Sequence, residues 1–173
     1  MTDNGPPSLI LSEDHHIVGS PAHETEGSRV LKHGDAFLVV DRLGEMHPTG
    51  RGEQGLYYRG TRFVSKLRLR FGRRPPMFLC SSVLENNLLL AVDLANPEMH
   101  DERGTVPHGS IHLSRRALLR DGVYFERIHL HNDGSLTARV PLRIDIDADF
   151  SDIFEVRGAQ RARRGQRLAP ELD

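Results

Sequence analysis

The chain has 173 residues, enough for one domain with a hydrophobic core but short for two. Its formal net charge is -1, with 38% hydrophobic and 27% charged residues, so composition gives no reason to expect nucleic acid or an anionic membrane as a partner. Cys80 is the only cysteine, which excludes an internal disulfide and favours a reducing compartment such as the cytoplasm.

The first 27 residues carry no recognisable leader. They hold several prolines and glycines among scattered acids, and the start lacks a basic cluster followed by an apolar stretch. Nowhere does a segment approach the ~20 apolar residues of a membrane-spanning helix. We therefore expect residues 1–27 to be a flexible segment, and the protein to have no membrane partner.

From Ser28 onward, short apolar runs alternate with turn residues at close and regular spacing. This texture is typical of antiparallel sandwiches and barrels. Glycine-rich and proline-containing stretches at 47–61 and 95–109 predict two longer loops. The predicted strands, in chain order, are 28–32, 36–41, 62–71, 77–83, 87–94, 110–119, 123–132 and 137–150.

Turn residues and period-two alternation predict how these strands are joined and which faces they bury. The turns 120–122 and 133–135 both contain Asp-Gly, a strong hairpin signal, so the last three strands should form a meander. In strand 62–71, four apolar residues alternate with four basic ones. The side chains expected to point inward are Phe63, Leu67, Leu69 and Phe71, and those expected outward are Arg62, Lys66, Arg68 and Arg70.

The last predicted strand combines an apolar face with a row of carboxylates. Asp145, Asp147 and Asp149 fall on one face about 6.5 Å apart, so they repel one another unless arginine, metal or another surface compensates their charge. Pro141 cannot donate to a ladder and indicates an edge strand or a bulge. The opposite face is predicted to be buried, and it holds Val140, Leu142, Ile144, Ile146, Ala148 and Phe150.

No stretch longer than about ten residues shows a helical period. We predict an all-β fold, an antiparallel β-sandwich with little helix, over residues 28–156. Residues 157–173 follow with the basic run RGAQRARRGQR. This run lacks the interleaved aromatic residues of a nucleic-acid site, so we interpret it as a linker and expect no nucleic-acid partner.

Three stretches, LKHGDAFLVVDRLGEM, GLYYRGTRFVSKLRL and DADFSDIFEVRG with the following RARRG, resemble the N-terminal domain of bacterial glycogen debranching enzymes of the amylo-alpha-1,6-glucosidase type. The resemblance covers roughly residues 28 to 165. It implies a supersandwich-like β-sandwich that precedes an (α/α)6 barrel, the barrel carrying the glycosidase carboxylates. Residues 157–173 would then lead toward that C-terminal catalytic domain. Gly60 departs from the family, which tends to have an acid at this position.

The acidic residues near the end of the last strand have three possible uses. Two carboxyl groups at strand spacing match the separations in glycoside hydrolases, but a flat strand face supplies neither a cleft nor a raised pKa. Calcium needs six to eight oxygens, typically around a glycine-containing loop. Ion pairs with arginines such as Arg139, Arg143 or Arg157, or the polar side of an interface, are the interpretation that we favour. The acids concerned are Asp145, Asp147, Asp149, Asp152 and Glu155.

Tyr57, Tyr58, Arg59 and Arg62 form an aromatic and basic cluster where a loop meets a strand. Tyrosine next to arginine can stack on a sugar ring or anchor a protein interface. Alternatively, one of the tyrosines packs into the core. Because the chain has no tryptophan, we favour an interface over a carbohydrate platform that acts alone.

His129 and His131 share one strand face, with His112 on a neighbouring strand, but spacing places two ligands there rather than the three or four that zinc needs. We therefore expect surface histidines, no metal site and no cofactor.

These observations predict a non-catalytic N-terminal domain of a glycogen or α-glucan debranching glycosidase, which braces the catalytic barrel and shapes the substrate cleft. The expected partners are that barrel, in the same chain or encoded separately, and α-glucan. An independent carbohydrate-binding or protein-interaction module is the alternative, and a hydrolase acting by itself comes third. The predicted substrate-binding or domain-interface residues are Tyr57, Tyr58, Arg59, Arg62, Asp147, Asp149, Asp152, Glu155 and Arg157.

Overall fold

The computed structural model describes residues 27–48, 53–84, 86–101, 104–135, 137–162 and 168. Within these ranges the chain forms antiparallel sheets and one four-residue helix, which confirms the predicted all-β sandwich. The predicted flexible segment 1–27 lies, except for Gly27, outside the described residues, as does most of the predicted linker. None of the helices in the described ranges is long and apolar enough to cross a membrane.

Twelve strands and one helix make up the described part of the fold. They are β1 (Arg29–His33), β2 (Ala36–Val40), β3 (Gly55–Tyr58), β4 (Thr61–Val64), β5 (Lys66–Phe71), β6 (Met77–Leu84), β7 (Leu89–Ala95), β8 (Met99–Asp101), β9 (Gly104–Val106), β10 (Ile111–Arg120), β11 (Val123–Asn132), β12 (Leu142–Asp147) and α1 (Ile153–Val156).

The strands form two layers around one core. In one layer, β1, β2, β3 and β4 pair in that order, and the separate pair β5–β12 continues the layer. The other layer is a sheet of order β11-β10-β7-β6, which contacts the first layer mainly through β1 and β2. Alternate side chains of each strand enter the core, as a period of two requires. The buried core draws on three of the four sheets, all but the small β8–β9 pair, for example Leu38, Leu69 and Leu113.

The predicted hairpin at 120–122 is confirmed. Arg120 pairs with Val123, and the two turn residues Asp121 and Gly122 have φ of 51° and 74°. Positive φ at both positions is typical of the type I′ turn, whose twist matches that of the flanking strands.

Several predicted boundaries are wrong. The predicted loops 47–61 and 95–109 contain β3 and the small β8–β9 hairpin. The predicted strand 62–71 breaks at Ser65, where the chain passes from β4 in one sheet to β5 in another. The predicted strand 137–150 is shorter, and it pairs with β5 rather than β11, so the chain leaves the meander after β11.

Sequence alternation misplaced several side chains because the chain changes sheets. Arg62 is 7% exposed whereas Phe63 is 42% exposed, the reverse of the prediction, since the alternation of β4 does not continue through Ser65 into β5. On β12, Ile144 and Ile146 lie opposite Leu69 and Leu67 of β5. The prediction that both are buried is wrong, because β12 lies at an edge, and they are 46% and 67% exposed.

A buried arginine connects the two layers. Arg115 of β10 donates through Nη1 to the carbonyl of Leu43, which belongs to the turn after β2, at 2.8 Å. Its Nε donates to Glu126 Oε1 on β11 at 2.5 Å. Burial, the largest single effect, would lower the pKa of Arg115, but the charge and the hydrogen bond of Glu126, with the nearby Tyr124 and Glu45, together outweigh burial and raise it. Arg115 is therefore charged within the core of the sandwich.

Candidate functional site

The predicted site residues meet where the segment after β12 runs beside β4. Ser65 N donates to the Asp147 carbonyl at 2.9 Å, and Arg62 N donates to the Ser151 carbonyl at 2.8 Å. Further along, Ile153 N donates to the Gly60 carbonyl at 2.8 Å. Residues 147–153 thus join the β1–β4 sheet to the β5–β12 pair. They bring the predicted cluster at 57–62 next to the predicted acids.

Three partly exposed rings line this junction, and we call Tyr58, Phe63 and Phe150 the aromatic ladder. The rings of Tyr58 and Phe63 meet edge to face at 6.5 Å between centroids, and those of Phe63 and Phe150 at 5.7 Å. Phe150 is 57% exposed, and Phe154 of α1 also lies in solvent. Aromatic rings in edge-to-face contact are rigid and apolar, which suits a surface that binds another molecule.

Phe150 adopts a backbone conformation that is unfavourable for its residue type. Its φ is +50°, in the left-handed region, which costs a non-glycine residue about 1–2 kcal/mol. Strain of this kind persists only where surrounding structure holds it in place, and it concentrates at functional positions. Here the hydrogen bonds of the flanking residues to β4 hold the segment, so the ring of Phe150 points away from the core.

A partly buried ion pair lies next to the ladder, between the residues that precede Phe63 and Phe150. Arg62 Nε donates to Asp149 Oδ1 at 3.1 Å while Nη2 donates to Oδ2, and Nη1 donates to the Gln54 carbonyl at 3.1 Å. Burial, the largest single effect, would raise the pKa of Asp149, but the hydrogen bonds from Arg62 and Ser151 and the charge of Arg62 together outweigh burial, and the pKa is lowered. Asp149 is therefore ionised, the opposite of what a general acid in glycoside hydrolysis requires.

Gly55 leaves the space that the Arg62 side chain occupies. A Cβ at this position would lie 2.4 Å from Arg62 Cδ and 2.9 Å from the Val64 carbonyl oxygen. Glycine is thus required where the arginine crosses β3. Gly55, which lies before Tyr57, therefore contributes to this ion pair because its missing side chain leaves room for that of Arg62.

The remaining predicted acids have structural partners. Asp152 caps α1 by accepting from Phe154 N at 2.8 Å, and Glu155 reciprocates by accepting from Asp152 N at 2.9 Å. This is a capping box, which satisfies the free N–H groups at the start of a helix. Asp147 Oδ1 accepts from Ala148 N at 2.8 Å. Arg157 pairs with Glu53 at 2.9 Å, and Arg161 pairs with Glu155 at 2.7 Å.

The two tyrosines of the predicted cluster have different environments. Tyr57 is 1% exposed, stacks on Phe37 at 4.4 Å between ring centroids, and donates to the Glu53 carbonyl. Burial raises the pKa of Tyr57. Tyr57 thus packs into the core, whereas Tyr58 reaches the surface with the guanidinium of Arg59 5.2 Å from its ring. Arg59 is exposed and pairs with Asp35.

Two exposed members of the ladder, Phe63 and Phe150, were not predicted to lie at the surface. Period-two alternation predicts that both are buried, but it does not continue through the junctions at Ser65 and after Asp147. Phe154 was not predicted as a site residue, although Asp152 and Glu155 at positions i and i+3 are a recognisable signal for the start of a helix. Of the histidines that were expected to lie at the surface rather than bind zinc, His112 pairs with Asp93 at 3.3 Å and His131 pairs with Asp133 at 2.8 Å.

A comparison with protein families gives one match, to a model described as the N-terminal domain of (some) glycogen debranching enzymes, over residues 31–173. The matched range includes the aromatic ladder, the Arg62–Asp149 pair and α1. Searches of curated proteins and of solved structures gave no match to the chain.

Proposed function

The chain belongs to the family of N-terminal domains of glycogen debranching enzymes, and on this premise we propose that it braces the catalytic domain of such an enzyme and shapes one wall of its substrate cleft. The catalytic domain would be an (α/α)6 barrel of the amylo-alpha-1,6-glucosidase type, reached through residues 157–173, and the enzyme would be cytoplasmic. The chain itself would contribute no catalytic residue.

The aromatic ladder is the observation on which this proposal depends. Protein interfaces are anchored by a few aromatic side chains and arginines, held in fixed positions at the centre of the contact. Tyr58, Phe63 and Phe150 fit that description, because each ring contacts the next and the backbone hydrogen bonds to β4 hold the segment. Arg59 and the charged residues around α1 would form the polar rim.

The position of the ladder in the chain also supports this assignment. Phe150 follows the last strand and Phe154 lies in α1, directly before the predicted linker. A following domain would therefore start close to the ladder. The neighbouring acids would contribute through the ion pairs and caps described above, with Arg62, Asp149, Asp152 and Glu155 holding the surface in shape.

Docking is tested with the catalytic domain of the same enzyme produced as a separate polypeptide. Calorimetry should detect binding of the 173-residue chain, and Phe150→Ala should weaken it at least tenfold, as expected for an interface anchor. Phe125→Ala is the matched control, because Phe125 of β11 is 55% exposed on the other layer. Its affinity should stay within twofold of the unchanged chain. Equal losses for the two variants, or no binding at all, would contradict the proposal.

A carbohydrate-binding module is separated from this proposal by a second titration. Maltooligosaccharides and branched glucan are added to the isolated chain, and turnover is assayed in the same samples. Micromolar binding that Tyr58→Ala abolishes, in a chain that remains folded, would favour the carbohydrate module. Hydrolysis abolished by Asp149→Asn would instead favour a hydrolase. Our proposal predicts neither binding at that level nor turnover by the isolated chain.

A further inference from the structure

Three side chains surround the turn that follows β2, away from the aromatic ladder. Asp41 Oδ2 lies 3.2 Å from His47 Nε2, and Glu45 Oε2 lies 3.5 Å from the same nitrogen. The three atoms all lie within 4.8 Å of one another, and no other described group of three or more such side chains comes so close. The sequence analysis did not single out these residues.

Other contacts orient both carboxylates toward this point. Asp41 Oδ1 accepts from Leu43 N at 2.8 Å and from Glu45 N at 2.9 Å, so the turn itself directs Oδ2. Glu45 Oε1 accepts from Leu69 N at 2.9 Å and from Arg70 Nη1 at 2.5 Å. Ligands of metal ions are commonly fixed in this way by hydrogen bonds to their second oxygen.

The second oxygen of Glu45 has no hydrogen-bond partner. Glu45 is 1% exposed, and Oε2 accepts no hydrogen bond from any described residue. Leaving a buried charged oxygen unpaired costs free energy, so native proteins rarely do so without another partner. Oε2, which has no hydrogen bond, lies 3.5 Å from His47 Nε2 and within 4.8 Å of the Asp41 ligand atom. Its position indicates that a cation completes the arrangement.

We propose that Asp41, Glu45 and His47 bind a divalent transition-metal ion of the zinc class through Oδ2, Oε2 and Nε2. Bonds of 2.0–2.2 Å in a tetrahedral site place neighbouring ligand atoms about 3.3 Å apart. The distances of 3.2 and 3.5 Å to His47 Nε2 match that spacing. Three protein ligands leave a fourth position for water.

The ligand types select among metal ions. Imidazole with carboxylates suits zinc and its neighbours in the first transition row, whereas calcium requires six to eight oxygens and magnesium prefers oxygen ligands with several waters. The ion would connect the end of β2 to β5, because Glu45 bonds to Leu69 N and the adjacent Met46 pairs with Leu67. We assign it a structural role.

The test uses the full chain, treated with a chelator, desalted and titrated with zinc chloride in a calorimeter. The expected result is one site per chain that raises the midpoint of thermal unfolding, with no comparable effect of calcium or magnesium. His47→Gln and Asp41→Asn should each weaken binding at least tenfold. Asn keeps an oxygen to accept from the turn N–H groups, so the second variant preserves the local fold.

His112→Gln is the matched control, because His112 also lies 3.3 Å from a carboxylate oxygen but outside the cluster. It should bind zinc as tightly as the unchanged chain. Unchanged affinity in His47→Gln, or the lack of any stoichiometric zinc binding by the unchanged chain, would overturn the proposal. In that case, the hydrogen bond between His47 Nε2 and Asp41 Oδ2 would account for the geometry.

Discussion

At Phe150, the free-energy cost of the backbone conformation can be compared with the stabilisation that the side chain provides. Its φ of +50° is unfavourable for any residue with a Cβ, and its ring contributes one edge contact to Phe63. A cost of about 1–2 kcal/mol for the backbone is similar to the 0.5–1.5 kcal/mol of an aromatic pair. In the isolated chain, the two terms nearly cancel. A bound partner would tip the balance in favour of the phenylalanine.

Two substitutions of Phe150 test this balance. Phe150→Ala and Phe150→Gly both remove the ring, but only glycine relieves the backbone strain. We expect the glycine variant to be more stable than the alanine variant by about 1 kcal/mol in urea unfolding, after allowance for the greater freedom of glycine in the unfolded chain. Equal stability of the two variants would mean that the left-handed conformation costs no more than the extra freedom of glycine in the unfolded chain, less than we expect.

The ion pair of Arg62 with Asp149 stabilises the packing of two elements, because it holds the segment after β12 against β4. Asp149→Ala would leave a guanidinium that is nearly buried without its carboxylate. We expect a loss of about 2 kcal/mol at pH 7, below the range for fully buried pairs because the Asp149 side chain is 33% exposed. Asp145→Ala should cost much less, since its partner Arg143 lies in solvent.

The stability lost in Asp149→Ala should depend on pH. The pKa of Asp149 is lowered in the folded protein, so its contribution is fully present above the ordinary carboxyl pKa of about 3.9. The contribution is lost as pH falls through the lowered pKa. Urea unfolding at pH 7, 5 and 3 should therefore give the same difference at the first two values and a smaller one at the third. A constant difference at all three would refute the ionic interpretation.

An element could be predicted from the sequence where its partner strand lies close to it in the chain, and not where the partner lies far away. The hairpin β10–β11 follows from period-two alternation and one Asp-Gly turn, all within about twenty consecutive residues. By contrast, the pairing of β12 with β5 joins Leu142 to Phe71, and local patterns carry no information about it. The change of sheet at Ser65 inverted the faces of Arg62 and Phe63 for the same reason. The ladder could not be predicted without that long-range pairing.

At the scale of the whole molecule, Arg115 holds the two layers together by polar contacts in an otherwise apolar core. Arg115→Met should cost about 3 kcal/mol, because Glu126 would remain largely buried and unpaired and the Leu43 carbonyl would lose its donor. Arg116→Met is the control on the neighbouring, half-exposed position, and it should cost at most about 1 kcal/mol. Chemical denaturation of both variants measures the difference.

A double substitution distinguishes loss of the pair from loss of packing. Arg115→Met with Glu126→Leu removes both charges of this pair, so it should recover much of the stability lost in the single variant. If the double variant instead has the same stability as Arg115→Met, the arginine acts chiefly through its bond to Leu43.

The pairing of β5 with β12 has a consequence for synthesis. Phe71 leaves the ribosome about 70 residues before its partner Leu142, whereas the partners within β1–β4 follow one another closely. At 5–20 residues per second, β5 waits about 4–14 s for its strand partner. During that time its apolar residues, Leu67, Leu69 and Phe71, lie on an open edge next to a nascent chain. We therefore expect the unpaired edge of β5 to be open to aggregation during the stage of translation between β5 and β12.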